Sequence, residues 1–183
     1  MTKLAHKRHS TRLRGYDYSQ PGAYFITICT HSRELLFGEI IDGEMLLNAA
    51  GQIVMEEWMR TPSVRSEMGI DEFVVMPNHV HGIVVIAENN DFPAVGAHGR
   101  APLHQPTHRK PRSLGSFVAG FKSIVTRRIN AQSGTLGKPV WQRNYYEHII
   151  RNENEHNRIR GYILDNPRRW AEDRENPHVE TKH

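Results

Sequence analysis

The stretch that decides the fold is MPNHVHGI at residues 76–83, which apolar and β-branched residues flank on both sides. This pattern predicts β-strand, with Pro77-Asn78 as either a turn between two strands or a kink within one. Because side chains alternate across a strand, His79 and His81 are expected on one face of the sheet. Two imidazoles in a fixed relative orientation can bind a metal ion. The alternative interpretation is a pair of hydrogen-bonded core histidines.

Outward from that stretch, the pattern predicts a chain of mixed α and β structure. Asp42-Gly43 is a strong hairpin-turn signal, and Asn48, Ser113 and Asn152 are the predicted N-caps of three helices. The predicted strands lie at 24–30, 36–41, 44–47, 73–76 and 79–87, and a last strand begins at about residue 145. The first predicted helix ends near Arg60, with Pro62 just beyond its end.

Composition is that of one domain with extensions, since the chain has 183 residues of which 38% are hydrophobic. The single cysteine, Cys29, cannot form an internal disulfide and lies in an apolar run, which predicts a reduced core residue in a cytoplasmic protein. No run approaches the roughly 20 apolar residues that cross a membrane, so no membrane partner is expected. The predicted organisation is a basic arm at 1–20, a domain at 21–170 with a mobile basic loop at 88–112, and a C-terminal tail at 171–183.

Charge is distributed unevenly along the chain, although the net charge is only +4. Residues 92–146 contain no Asp or Glu but carry several arginines and lysines, and the first fourteen residues are also basic without an acid. A long positive segment attracts polyanions, of which nucleic acid is the usual one. The alternative is a solvated surface whose acidic partners come from elsewhere in the chain.

The last predicted helix, between Asn152 and Pro167, carries polar residues on its apolar face. Ile159, Tyr162 and Asn166 fall on one side of it at helical spacing, so Tyr162 and Asn166 lie one turn apart. A tyrosine on such a face is usually a packing residue. Burying a side-chain amide without a hydrogen-bond partner costs about 1–3 kcal/mol of stability. We therefore expect the Asn166 amide to have a partner, either at the helix terminus or as a ligand of a metal ion.

Four motifs of the chain resemble one family. MPNHVHG resembles the His-hydrophobic-His (HUH) motif of single-tyrosine transposases, and the other three resemble the REP-associated tyrosine transposases of that superfamily. These three are RGYDY at 14–18 ahead of GAYFITICT at 22–30, WQRNYYEH at 141–148 and GYILDNP at 161–167. The resemblance runs from about residue 12 to residue 170, with the 88–112 loop as its weakest part.

The resemblance implies a ferredoxin-like α+β fold, in which an antiparallel sheet is covered by helices and a late helix brings the catalytic tyrosine over it. It also implies binding of single-stranded or hairpin DNA, with nicking and rejoining of that DNA. His79 and His81 match the metal ligands, Tyr162 matches the nucleophile, and Asn166 matches the polar residue that often completes the metal site. Tyr145 and Tyr146 are further candidates for the nucleophile, ranked below Tyr162 because they precede the helix.

The chemistry of these residue types agrees with that activity. A tyrosine hydroxyl, with a pKa near 10, is a poor nucleophile towards an anionic phosphodiester at neutral pH. Mg²⁺ or Mn²⁺ would polarise the scissile phosphate, and neutral imidazole and amide ligands leave the ion its positive charge. Imidazole suits borderline metals, so Mn²⁺ is the expected tighter binder. Attack by tyrosine would conserve the bond as a 5′-phosphotyrosine ester for later rejoining.

Two other functions stay open at this point. One is a non-transposing HUH nickase of the replication-initiator or relaxase type. The other is a non-catalytic module with an RRM-like sheet that stacks bases on exposed aromatics such as Tyr24 or Phe25. The oligomeric state is open between monomer and homodimer, and a bacterial or archaeal cytoplasm is the expected location. The predicted DNA-binding residues are Arg8, Arg12, Arg14, Arg109, Lys110, Arg112, Lys122, Arg127, Arg128 and Arg143.

Overall fold

The computed structural model describes residues 16–87 and 112–177. The strands are β1 (Gly22–Cys29), β2 (Gly38–Ile41), β3 (Glu44–Leu47), β4 (Met68–Met76), β5 (His79–Ile86) and β6 (Tyr146–Ile150), and the helices are α1 (Ala49–Met59), α2 (Thr61–Val64), α3 (Leu114–Ser133) and α4 (Glu153–Asp165). Within these ranges, no helix has the length and apolar character that crossing a membrane requires.

The main sheet has four antiparallel strands in the order β4-β5-β1-β6. Two β-α-β units, β1-α1-β4 and β5-α3-β6, interleave to give this order, and the β2–β3 hairpin precedes α1. This is the topology of a ferredoxin-like sheet, so the predicted α+β fold class is confirmed.

The strand β5, which carries the two histidines, lies inside the sheet between β4 and β1. Met76 pairs with His79, so Pro77-Asn78 forms a turn between two strands rather than a kink in one. Strand β4 begins at Met68, earlier than the predicted residue 73, because the charged Asp71 and Glu72 interrupt its apolar run and the register shifts there.

Both faces of the main sheet are covered. On one face, Ile26 of β1 and Val84 of β5 pack with Trp58 of α1 and Phe117 of α3. On the other face, apolar residues of the sheet pack against α4. Because side chains alternate along β5, the two histidines face α4 while Val80 joins the opposite core.

The predicted N-caps and the predicted end of the first helix agree with the structure. The Asn48 side chain accepts hydrogen bonds from the amides of Ala50 and Gly51, and Ser113 and Asn152 cap α3 and α4 in the same way. The first helix ends at Met59, next to the predicted Arg60, and Pro62 lies beyond it as predicted, in the first turn of the separate helix α2. Proline lacks only an amide hydrogen that the first turn leaves unpaired, so it is compatible with that position.

Candidate metal and tyrosine site

The two histidines of β5 lie side by side in the interior. His79 is 0% exposed and His81 is 3% exposed, and their Nε2 atoms are 3.0 Å apart. Two ligands at right angles on one ion, each with a metal–nitrogen distance of about 2.1 Å, lie about 3.0 Å apart. The separation of the two nitrogens therefore matches that of neighbouring ligands on a single metal ion.

Asn78 fixes the protonation of the His79 ring. Its Nδ2 atom donates to the carbonyl oxygens of Glu175 at 2.7 Å and Arg33 at 3.3 Å. The Oδ1 atom of the same amide therefore faces the Nδ1 atom of His79, at 2.8 Å. An amide oxygen only accepts, so His79 Nδ1 carries the proton and its Nε2 atom presents a lone pair.

Thr27 of β1 plays the corresponding role for His81. Its Oγ1 atom lies 2.8 Å from the Nδ1 atom of His81. A hydroxyl can donate or accept, so this contact permits either tautomer of the His81 ring. When His81 Nδ1 carries the proton, the Nε2 lone pairs of both rings are free to bind an ion.

Both imidazoles are neutral at physiological pH. Burial lowers the pKa of His79 to about 3, and the charges of Arg33 and Arg174 act in the same direction. Burial also holds the pKa of His81 well below its usual value, with His79 and Arg174 contributing. Neutral imidazole is the form that binds metal ions.

Helix α4 places Tyr162 against this pair. The Tyr162 hydroxyl lies 3.2 Å from the Nε2 atom of His81, and its ring packs edge-on against Phe25 at 6.0 Å. The side chain is 43% exposed, so the phenol contacts both the histidines and solvent. Burial and then the charge of Asp173 raise the pKa of Tyr162, which keeps the hydroxyl protonated at neutral pH.

The other two candidate tyrosines have different surroundings. Tyr145 precedes β6 and packs beneath the ammonium group of Lys122, 5.6 Å from its ring centroid. Tyr146 begins β6, and its ring lies 6.2 Å from that of Phe25. The hydrogen bond to His81 therefore favours Tyr162 over both.

Asn166 ends α4 and is also part of the site. It is 3% exposed, and its Oδ1 atom has no hydrogen-bond partner among the described residues. With Tyr162 and Asp173, it lines a cavity of about 220 Å³. A buried carbonyl oxygen without a donor costs free energy, and a cation would remove that cost. The donor set of two imidazoles and an amide oxygen therefore fits a divalent metal ion.

Sequence reasoning missed Asp173, which was assigned to the C-terminal tail. Its Oδ2 atom lies 3.9 Å from His79 Nε2, and its side chain is 8% exposed. Donor atoms of His79, His81 and Asp173 all lie within 4.8 Å of one another. Burial and the neighbouring Glu175 raise the pKa of Asp173, partly opposed by an amide hydrogen bond and arginine charges. The only sequence signal was a cluster of acids after Trp170, which has no distinctive spacing.

A groove of about 570 Å³ opens beside Tyr162, between β6 and α4. Aromatic, imidazole and guanidinium groups share its walls, so it offers both ring surfaces and positive charge. Its lining includes Phe25, Tyr146, His148, Arg158, Tyr162 and Arg169. The sequence reasoning did not select the two arginines, because they follow acidic residues rather than lying in the acid-free segments.

The predicted DNA-binding residues fall into three groups. Arg8, Arg12, Arg14, Arg109 and Lys110 lie outside the described residues. Arg112, Arg127 and Arg143 are exposed. The third group consists of Arg128 and Lys122, which make contacts within the fold. Arg128 pairs with Glu56 at 2.6 Å and Glu57 at 2.7 Å. Lys122 donates to the carbonyls of Gln142 and Asn144. For Arg128, acids from α1 supply the partners that its own segment lacks.

Comparison with known proteins agrees with this architecture. No family model matches the chain. The chain is 42% identical over 173 residues to an uncharacterized protein of Haemophilus influenzae, with 92% of each chain covered. The chain belongs to the family of that protein.

The chain is also similar to a solved structure. The structure of a REP-associated tyrosine transposase bound to a REP hairpin matches with a TM-score of 0.52 and 20% identity. The match covers 87% of this chain and 74% of the transposase. The chain has the fold of a REP-associated tyrosine transposase, as the sequence resemblance implied.

Proposed function

We propose that this protein is a metal-dependent tyrosine transposase that nicks and rejoins hairpin-flanked single-stranded DNA. The observation that carries the proposal is the 3.2 Å approach of the Tyr162 hydroxyl to His81 Nε2. Asn166, one helical turn beyond Tyr162, lines a cavity together with it. The histidines of β5 lie about eighty positions before these α4 residues in the sequence, and the packing of α4 on the sheet brings Tyr162 to His81.

In the proposed reaction, the Tyr162 oxygen attacks the phosphorus of the scissile phosphodiester. The phenol gives up its proton and the P–O3′ bond breaks. The leaving 3′ oxygen takes up one proton to become a hydroxyl, and the 5′ phosphate stays on Tyr162. Attack by a 3′ hydroxyl on this ester reverses the steps and joins two DNA ends. Mg²⁺ or Mn²⁺ held by His79, His81 and Asn166 would neutralise the charge that develops on the phosphate.

Asn78 and Thr27 are positioning residues in this proposal. They bond to the Nδ1 atoms of the two histidines and so orient the rings with their Nε2 atoms facing each other and with His81 Nε2 towards Tyr162. Phe25 holds the phenol from the side of the sheet. The imidazoles and the phenol therefore lie on β5 and α4, and Thr27 of β1 and Asn78 of the β4–β5 turn orient the two rings.

Single-stranded DNA is the proposed partner because of the groove beside Tyr162. Bases stack on aromatic rings and phosphates pair with guanidinium groups, and this groove contains both. The partner of the structural relative is a REP hairpin, and hairpin DNA is the corresponding substrate proposed here. A protein that acts on DNA in this way would work in the cytoplasm.

The competing binding-module function is less well supported. An RRM-like module needs exposed aromatics on an open sheet face. Here Tyr24 is 0% exposed and Phe25 is 8% exposed, because helices cover both faces of the sheet. A nickase would share the tyrosine chemistry and would differ from a transposase in failing to join a second strand.

The test is formation of a covalent protein–DNA adduct. The full-length protein, incubated with single-stranded hairpin oligonucleotides and Mn²⁺, is expected to give an adduct on a denaturing gel. Tyr162→Phe and EDTA should each abolish it. Tyr146→Phe is the matched control, since this tyrosine lines the same groove and should leave the adduct intact. Cleavage by Tyr162→Phe at the wild-type rate, or loss of the adduct only in Tyr146→Phe, would refute the assignment.

A further inference from the structure

We propose that Asp173 is a further ligand of the metal ion held by the histidine pair, and that ion binding fixes segment 170–175 against the sheet. The proposal rests on the metal site of the proposed function and adds a carboxylate ligand to it. That ligand comes from the chain beyond the tyrosine helix. Binding of the metal ion and docking of the segment after α4 would then be coupled equilibria.

The position of the carboxylate is the first support. Asp173 Oδ2 lies 3.9 Å from His79 Nε2, which is too far for a hydrogen bond. Asn78 leaves His79 Nε2 with a lone pair, so a carboxylate oxygen and a lone pair face each other in the interior. A cation between them would be attracted to both the carboxylate and the lone pair.

The orientation of the carboxylate is the second support. Asp173 Oδ1 accepts a hydrogen bond from the amide of Glu175 at 2.7 Å. This bond uses one oxygen and directs the other towards the histidines. The side chain is held in one orientation before any ligand binds, which is typical of preorganised metal ligands.

The unpaired oxygen of Asn166 is an independent observation at the same place. Asn166 and Asp173 line the same cavity, and Asn166 Oδ1 is buried with no partner in the described residues. The interior thus contains four electron-rich donors from β5, α4 and the following segment. Two imidazoles, one amide and one carboxylate suit Mn²⁺ or Mg²⁺ and leave room in a six-coordinate shell for phosphate oxygens.

The segment is attached to the site through shared residues. Asn78, which orients His79, also binds the carbonyl of Glu175 at 2.7 Å. Arg33 pairs with the Glu175 carboxylate at 3.0 Å and donates to the carbonyl of Arg174 at 3.3 Å. If the ion binds more tightly when the segment is docked, thermodynamic linkage requires that ion binding strengthens the docking of the segment by the same factor.

Isothermal titration of the full-length protein with Mn²⁺ tests the ligand. Loss of outer-shell partners lowers metal affinity about 10–100-fold, so loss of a direct ligand in Asp173→Asn should weaken Mn²⁺ binding by at least about tenfold. Glu172→Gln is the matched control: it removes a neighbouring carboxylate whose side chain is 75% exposed and should keep the wild-type affinity. Wild-type affinity in Asp173→Asn would overturn the proposal.

A third variant separates this proposal from the proposed function. His81→Ala should lose Mn²⁺ binding if the histidine pair holds the ion at all. Loss in His81→Ala with full affinity in Asp173→Asn would refute only the role of Asp173. Full affinity in His81→Ala would refute the metal site itself. If Asp173→Asn does not fold, Asp173→Ser removes the carboxylate and keeps a small polar side chain, and wild-type Mn²⁺ affinity in that variant would overturn the proposal in the same way.

Hydrogen–deuterium exchange tests the linkage. Adding Mn²⁺ to the wild-type protein should slow exchange of the amides in 170–175, and Asp173→Asn should show no such change. Equal slowing in both proteins, or no slowing in the wild type, would refute the coupling of the segment to the ion.

Discussion

Replacing Gly82 by alanine should destabilise the protein strongly, because Gly82 makes room for Trp58 beneath the histidine strand. A Cβ at Gly82 would lie 2.2 Å from Trp58 Cζ2 and 3.1 Å from Phe73 Cβ. Trp58 is fully buried and stacks on Phe73 at 5.7 Å, so the indole cannot move away easily. Overpacking of a core typically costs 1–3 kcal/mol, and a contact this short predicts about 3 kcal/mol. For a domain of this size, that is a fall in Tm of roughly 6–12 °C.

A double-mutant cycle isolates the clash. Trp58→Phe removes Cζ2 and Cη2, the indole atoms that the new methyl group would meet. This variant alone leaves a cavity, but it makes space for the methyl group that Gly82→Ala introduces. Urea unfolding should therefore give a double variant that is more stable than the sum of the single effects predicts, by about 1–3 kcal/mol.

The control is Gly161→Ala in α4, where a Cβ would meet nothing within 4 Å. Alanine in a helix is favoured over glycine, so this change should be neutral or stabilising by up to about 1 kcal/mol. A loss below about 1 kcal/mol in Gly82→Ala, or energies that add to within about 0.5 kcal/mol in the cycle, would contradict the packing argument.

Three further predictions concern the site and the attachment of α4. Thr27→Val should lower Mn²⁺ affinity about 10–100-fold by removing the partner of His81 Nδ1; titration that gives wild-type affinity would contradict this. Burial acts to raise the pKa of Asp71, but hydrogen bonds from Arg160 and His156 outweigh it and hold the pKa below 3.8. The stabilisation is therefore fully present above about pH 4 and is lost as the pH falls through the lowered pKa of the folded protein. Asp71→Asn should be less stable than the wild type at pH 7 in chemical unfolding, and the difference should shrink progressively as the pH falls below about 4, whereas a pH-independent gap would be inconsistent. Arg158→Ala and Arg169→Ala should each reduce the salt slope of single-stranded DNA binding by about 0.7, and an unchanged slope would exclude them from phosphate contact.

The strands and helix starts could be predicted because their signals are local. Asn48 and Asp42-Gly43 act through their own backbone neighbours, and the structure contains the predicted hairpin and cap. The start of β4 could not be predicted from periodicity. Asp71 lies in that strand because it binds Arg160 and His156 of α4, and this long-range contact is invisible in the sequence.

The candidate site was only partly predictable for the same reason. His79 and His81 share a face by strand alternation, and Tyr162 and Asn166 share a face of a helix. That the two faces meet depends on how α4 packs on the sheet. Asp173 lies beyond the helix in a short irregular segment, whose position depends on bonds to Asn78 and Arg33 that no local pattern encodes.

The two histidines differ in how their protons are controlled. The amide oxygen of Asn78 requires a protonated Nδ1 atom on His79. The hydroxyl of Thr27 can instead bond to His81 Nδ1 whether that atom donates or accepts the hydrogen. Transfer of a single proton between the nitrogens of one ring thus changes His81 from a hydrogen-bond donor towards its neighbour into an electron-pair donor. In the proposed metal site, that proton transfer would free both Nε2 lone pairs for an ion in place of the internal N–H···N bond.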